Sequence, residues 1–221
     1  MMPHFDIGYF KKKTKRNSIS GSRGILNKFK AWKLNEEYYD GKRINGYGGF
    51  KYDGRWKKIL PKIIKRYRLN KNSKILEIGC KKGFLIYDLK SLIPKIKVIG
   101  IENHIYPIKK ADKKIRQHLF KKDYYDLKKY KKNEFDLVIG FNSIYMQNLG
   151  DVIKTLEEIS RISKKSYISI ASYKNKADRD KFLDWTLLGT TILKKDEWRK
   201  IFKLVSYTGD YYFSDAKKLG L

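Results

Sequence analysis

From Lys74 onward, short apolar runs alternate with amphipathic ones, and that alternation limits the fold more than any other feature of the chain. "SKILEIG", "KVIGIE", "EFDLVIGF" and "KSYISIAS" are rich in β-branched and other apolar residues and read as buried strands. Between them, "GFLIYDLKSL", "IYPIKKADKKIRQHL" and "DVIKTLEEISRI" carry apolar residues at helical spacing. "HLFKKD" reads as a weaker strand, "DRDKFLDWTLL" and "KKDEWRKIFKLV" as further helices, and "VSYTGDYYF" as a closing strand. Strands that alternate with helices predict an α/β fold: a mostly parallel, doubly wound, Rossmann-like sheet with helices on both faces. At 221 residues the chain has room for one such domain and an extension.

The extension comes first. Residues 1–24 mix Ser and Gly with basic residues, including "KKKTKR" at 11–16, and are expected to form a flexible basic arm. Residues 25–72 form an N-terminal helical extension, with helical patterns in "ILNKFKAWKLNEEYY" and "RWKKILPKIIKRYRL". Pro61 predicts either a kink in the second helix or its first turn. Residues 73–221 make up the main domain. Trp185 and Trp198 fall on amphipathic patterns and are expected in the core.

Composition removes several function classes. No apolar run approaches the roughly 18 residues of a membrane span, and the opening "MMPHFDIGYFKKKTKRN" lacks the apolar stretch of a signal peptide. Cys80 is the only cysteine, and His4, His104 and His118 are scattered, so neither disulfides nor a dedicated metal site is expected. A reduced, cytoplasmic protein is the expectation. The net charge of +29 points toward nucleic acid or another anionic partner. Lysine pairs recur along nearly the whole chain, however, and on polar helix faces they mainly solvate the surface.

The first strand runs into a loop, "KILEIGCKKGF", with an acid, Glu77, two places before Gly79 and a second glycine at Gly83. A dinucleotide loop needs a middle glycine so that backbone can approach the pyrophosphate, and here Lys81 stands in that position. An acid facing a dianionic ligand would be repelled. No phosphate-binding G-x-x-x-x-G-K-[ST] occurs either. The pattern suits a nucleoside that is cationic and lacks phosphate, with Lys81 directed to solvent; S-adenosyl-L-methionine, with its sulfonium and ammonium, meets that description.

"ILEIGCKKG" resembles motif I of the class I S-adenosylmethionine-dependent methyltransferases (type 11-like), with Lys81 in place of the usual middle glycine. The resemblance covers residues 74 to 172 and implies the cofactor-binding residues. Glu77, Gly79, Cys80 and Gly83 belong to the first loop. Glu102, which ends the second strand 25 residues later, matches the acid on the ribose hydroxyls, with Asn103 beside it. Asp123 matches the contact to the adenine amino group, with Tyr124 flanking the ring. Asn142 and Ser143 lie beside the methionine portion. The flanking segments look like a group of short bacterial methyltransferases, some of which accompany genes for surface-polysaccharide or nucleotide-sugar synthesis. They imply a small-molecule acceptor methylated on O or N.

Methyl transfer from a sulfonium needs alignment in a dry site, and a base only for a hydroxyl or protonated amine. Tyr145 and His104 are the weak catalytic candidates, although packing explains Tyr145 and a helix start explains His104. Tyr47, Tyr52 and Arg55, in the Gly- and Tyr-rich segment 46–56, are candidates for a lid over cofactor or acceptor. Asp210 is a candidate support for the acceptor pocket, and Cys80 reads as a loop filler. Two other functions fit the sequence: an RNA methyltransferase that uses the basic surface, and a non-catalytic protein that binds S-adenosylmethionine.

Overall fold

The computed structural model describes residues 4–9 and 23–221. The basic cluster at 11–16 lies outside the described residues. The extension contributes α1 (Ile25–Trp32), α2 (Glu36–Tyr39) and α3 (Arg55–Tyr67). Then follow β1 (Lys74–Ile78), α4 (Phe84–Leu92), β2 (Lys97–Glu102), α5 (Ile105–Lys109), α6 (Lys113–Arg116) and β3 (Leu119–Lys121). The second half holds β4 (Leu137–Phe141), α7 (Leu149–Ile162), β5 (Ser166–Tyr173), α8 (Lys176–Trp185), β6 (Leu193–Lys194), α9 (Lys195–Leu204), β7 (Asp210–Ser214) and α10 (Ala216–Leu219).

The sheet runs β3-β2-β1-β4-β5, with every pairing parallel. β4 takes one edge of β5, so β7, paired with Tyr167–Ala171, takes the other; β6 adds two residues at the end of β5. Successive strand residues serve opposite layers, as the pleat requires. Ile75, Ile139 and Tyr167 pack with α3 and α4, whereas Leu76, Val138 and Ile168 pack with α7 and α9. Trp198 is fully buried in the second layer, its indole N–H donating to the Ala171 carbonyl at 2.8 Å. This is the Rossmann-like fold read from the alternation.

Three local departures have identifiable causes. The stretch 25–39 breaks into α1 and α2 at Leu34, which adopts the left-handed region (φ 49°), and Asn35 then caps α2 through the Glu37 N–H. The pattern at 105–119 is likewise interrupted, because Asp112 caps a new helix, α6. Pro61 lies inside α3, and the helix continues through it with Trp56, Leu60 and Ile63 buried on one face.

Residues 4–9, inside the stretch expected as an arm, lie against the domain. Phe5 donates its N–H to the Tyr211 carbonyl at 2.9 Å, and Ile7 is buried in the α3 layer.

Candidate functional site

In a parallel sheet every strand's carboxyl end opens on the same side, and ligands bind there. The carboxyl ends of β1 and β4 form the floor of a cavity of about 340 Å³. Its walls come from Tyr9, the extension, the loop after β1, the segment after β4 with Tyr145 and Met146, the segment 185–188, and Ser214 and Leu219 near the C-terminus.

The loop is built for close approach. Gly79 has φ 74°, and a Cβ there would meet the Ser143 Cβ at 2.2 Å. Ser143 is in turn fixed by its hydroxyl donating to the Ile78 carbonyl at 2.8 Å. Gly79 and Cys80 both donate their N–H groups to the Ile101 carbonyl, binding the loop to β2. The Cys80 side chain fills the space over Gly100, where a Cβ would meet it at 2.7 Å, and burial pushes its thiol pKa up. Gly83, also left-handed at φ 70°, starts α4.

Glu77 is 4% exposed, and its Oε2 has no partner among the described residues. Burial pushes its pKa up to about 8; nearby Lys81 opposes the shift and Glu102 adds to it. Glu102 is also buried, but it is better satisfied. It accepts from the Lys81 N–H at 2.9 Å, the Asn103 N–H at 3.0 Å and the Tyr124 hydroxyl at 3.1 Å. A carboxylate has about four acceptor positions, so these three bonds leave capacity for a ligand hydroxyl.

Lys81 does not point to solvent as the sequence reading required. The residue is left-handed (φ 54°), lines the cavity and brings its ammonium to 3.4 Å from the Gly79 carbonyl. Burial works against that charge, but Tyr47, Glu102 and Glu77 outweigh it and raise the lysine pKa. The physical reason is local: two buried carboxylates lie within reach of one flexible cation.

The remaining sequence candidates divide. Asn142 lines the cavity at φ 48°, its side-chain oxygen accepting from Ser169 Oγ at 2.8 Å. Tyr145 also lines it, and its backbone carbonyl receives the Thr190 and Thr191 N–H groups. Tyr47 and Arg55 lie on the cavity wall. Tyr52 does not; its hydroxyl donates to Asp88 on α4. Asp123 is exposed and accepts from Tyr125, while Tyr124 reaches the site through Glu102 rather than as a ring in the cavity. Asn103 is exposed, with its backbone on Glu102. His104 caps α5, accepting the Tyr106 N–H at 3.3 Å. Asp210 is at the opposite end of the sheet, because it begins β7 instead of ending it. There it accepts two bonds from Arg66 at 3.0 Å and one from Tyr67 at 2.7 Å.

Sequence reasoning missed Tyr9, Arg23, Tyr38, Arg43 and Trp185, all on the cavity wall. The segment 46–50 is held over the loop by packing. A Cβ on Gly46 would meet the Tyr38 carbonyl oxygen at 1.8 Å, and Phe50 stacks on Phe84 at 4.8 Å. Lys82 completes the attachment, its ammonium on Asp40 of the extension.

The site fits a cationic adenosine ligand on three grounds of its own: the unpartnered Glu77 oxygen, the Gly79 approach that a side chain would close, and the residual acceptor capacity of Glu102. Among the described residues no cluster of His, Cys, Asp and Glu could hold a metal ion, and no helix is long and apolar enough to cross a membrane.

A family model described as "Methyltransferase domain" matches residues 69–206. No curated protein matches the chain at a significant level. Among solved structures, the chain is similar to a putative methyltransferase from Haloferax volcanii determined in complex with the Trm112 methyltransferase activator. That match has 19% identity and a TM-score of 0.53, over 69% of this chain and 72% of that one. It is also similar to YcgJ from Bacillus subtilis (16% identity, TM-score 0.55, 66% of each chain). A third is a SAM-dependent methyltransferase from Archaeoglobus fulgidus (17% identity, TM-score 0.50, 67% of this chain and 68% of that one). At such identities the structures speak for the fold. The family match carries the assignment: the chain belongs to the methyltransferase-domain family, with S-adenosyl-L-methionine as its cofactor.

Proposed function

We propose that the protein transfers a methyl group from S-adenosyl-L-methionine to an oxygen or nitrogen of a small-molecule acceptor. The observation that carries this reading is the pair Glu77 and Glu102, both buried near the carboxyl ends of the adjacent strands β1 and β2, with one Glu77 oxygen left without a partner among the described residues. When bound, the cofactor supplies an activated methyl on a sulfonium. Glu102 accepts from ribose hydroxyls, Glu77 answers the positive charge, and Gly79 gives the backbone clearance. Asp123 is assigned the adenine amino group by the family pattern alone.

Acceptor alignment falls to the wall formed by Tyr38, Tyr47, Tyr145 and Met146. Burial raises the Tyr38 pKa well above its ordinary value, so this phenol serves as a neutral hydrogen-bond donor rather than as a base. Rate enhancement then comes chiefly from orientation in a dry site, where effective molarities reach on the order of 10⁵ M or more. The flanking-segment resemblance suggests that the acceptor is sugar-linked. The net charge of +29 favours a second reading, an RNA acceptor.

The test is incubation with methyl-labelled S-adenosylmethionine and a cell extract, followed by separation of small-molecule, RNA and protein fractions. Label confined to small molecules supports the first reading, and label in RNA the second. Cofactor binding without transfer to any fraction would point to a non-catalytic protein.

A further inference from the structure

The cavity wall carries two arginines, Arg23 and Arg43, that form no ion pair with a carboxylate among the described residues. Arg23 donates from Nη1 to the Trp185 carbonyl at 2.5 Å and from Nη2 to the Arg43 carbonyl at 2.9 Å. Arg43 in turn donates to the Gly46 carbonyl. Backbone oxygens therefore fix the orientation of both guanidiniums without cancelling their charge. The Arg23 Nε is buried and has no hydrogen-bond partner among the described residues. Both arginines line the same cavity, with the Arg23 guanidinium on the Arg43 backbone carbonyl; burial lowers the Arg23 pKa and the Arg43 charge lowers it further.

Other local charges do not compensate them. Among the described residues neither arginine forms an ion pair, whereas the other arginine on the cavity wall, Arg55, is matched by Asp53. The preceding segment 10–22 contains no Asp or Glu that could serve. Among the described residues Glu77 is the only carboxylate on the cavity lining, on β1. Glu77 has the Lys81 ammonium near it on the same lining, whereas Arg23 and Arg43 have no acid beside them among the described residues.

Arg23 is half-buried and Arg43 exposed; a half-buried guanidinium with no anion beside it carries a desolvation cost that a bound anion offsets. The planar guanidinium forks match oxyanion geometry. From this arrangement we infer that Arg23 and Arg43 form an oxyanion subsite for the acceptor, which carries a phosphate or carboxylate group that this pair binds. The inference rests on the methyltransferase reading for the word "acceptor", but the anion site itself does not.

The experiment is titration of inorganic phosphate, pyrophosphate and malonate into the full chain at fixed ionic strength, with and without saturating S-adenosylhomocysteine. The Arg23→Gln and Arg43→Gln variants are run in parallel. Expected is saturable binding of at least one anion, weakened about tenfold by each substitution, with S-adenosylhomocysteine affinity unchanged within about twofold. Phosphate and pyrophosphate binding above malonate marks a phosphorylated acceptor, and the reverse marks a carboxylate. Anion binding that is absent, or unaffected by both substitutions, overturns the proposal. So does a loss of S-adenosylhomocysteine affinity in the variants, which would mean the arginines hold the cofactor's own carboxylate. A short RNA that competes through these two arginines would also overturn it, in favour of a nucleic-acid acceptor. Failure of S-adenosylhomocysteine to bind wild-type protein would sink the methyltransferase reading alone, since the titration without it still reports on the anion site.

Discussion

The Lys82 ammonium lies 2.6 and 2.8 Å from the two carboxylate oxygens of Asp40, and it ties the cofactor loop to the helical extension 42 residues earlier in the chain. Tyr106 donates to the same carboxylate at 2.9 Å and the Phe50 N–H at 3.2 Å, so three elements meet on one acid. Lys82 is 8% exposed, which makes this pair worth more than a surface ion pair. Replacing Lys82 with Met leaves Asp40 partly desolvated and is expected to cost about 2 kcal/mol, read by urea denaturation. Limited proteolysis should also quicken between residues 25 and 55. Stability and cleavage both unchanged would mean that the extension is held by its aromatic contacts alone.

Glu77 should make cofactor binding proton-linked. Its pKa of about 8 keeps it largely protonated at neutral pH, and a bound cation draws that pKa down and expels the proton. Calorimetry at pH 7 in buffers of different ionisation enthalpy should report release of roughly one proton on binding S-adenosylmethionine. Affinity should rise as pH goes from 6 to 8. Both effects should vanish in Glu77→Gln. For stability the sign is opposite. The folded state holds a proton that the unfolded chain gives up near 4.5, so Glu77 subtracts stability progressively as pH climbs from there toward 8.

Lys81 occupies charge space that a cationic ligand needs. Lys81→Gly removes that competitor and relieves a left-handed backbone at φ 54°. The expected result is about tenfold tighter binding of S-adenosylmethionine, with a smaller gain for the uncharged sulfur of S-adenosylhomocysteine. Equal gains for both ligands, or weaker binding, would show that the lysine supports the cofactor rather than displacing it.

Gly79→Ala places a methyl group 2.2 Å from the Ser143 Cβ at a backbone φ of 74°. Cofactor affinity should fall by at least about a hundredfold, with a stability loss of roughly 2 kcal/mol from strain and displacement. Because the clash is with one side chain, Ser143→Gly in the same molecule should recover part of both losses. An alanine variant that binds normally would mean the loop can shift at little cost.

Sequence made the floor of the site legible and its walls only in part, through Tyr47, Arg55 and Tyr145, for a physical reason. Glu77 and Glu102 are placed by strands whose apolar runs can be recognised locally, and parallel pairing then puts their ends together. Asp210, a candidate for the acceptor pocket, lies at the other end of the sheet, because "YTGDYYF" shows an acid beside a strand without showing that the acid comes first. Lys81 and Lys82 look alike in the sequence, yet one turns into the cavity and the other onto Asp40. Nothing near either lysine encodes that partner choice, which depends on where distant carboxylates arrive. Arg23 lies in a Ser/Gly-rich stretch with no periodic pattern, and only tertiary contact with Trp185, 162 residues away, reveals it.

The docking of residues 4–9 bears on how copies of the chain behave toward one another. β7 gives one edge to β5, and the short parallel bridge between His4 and Tyr211 covers part of its other edge. Unpaired backbone along an outermost strand is a template for pairing with another molecule. Removing the first nine residues would therefore uncover that template, and the shortened protein should self-associate in a concentration-dependent way that light scattering can follow.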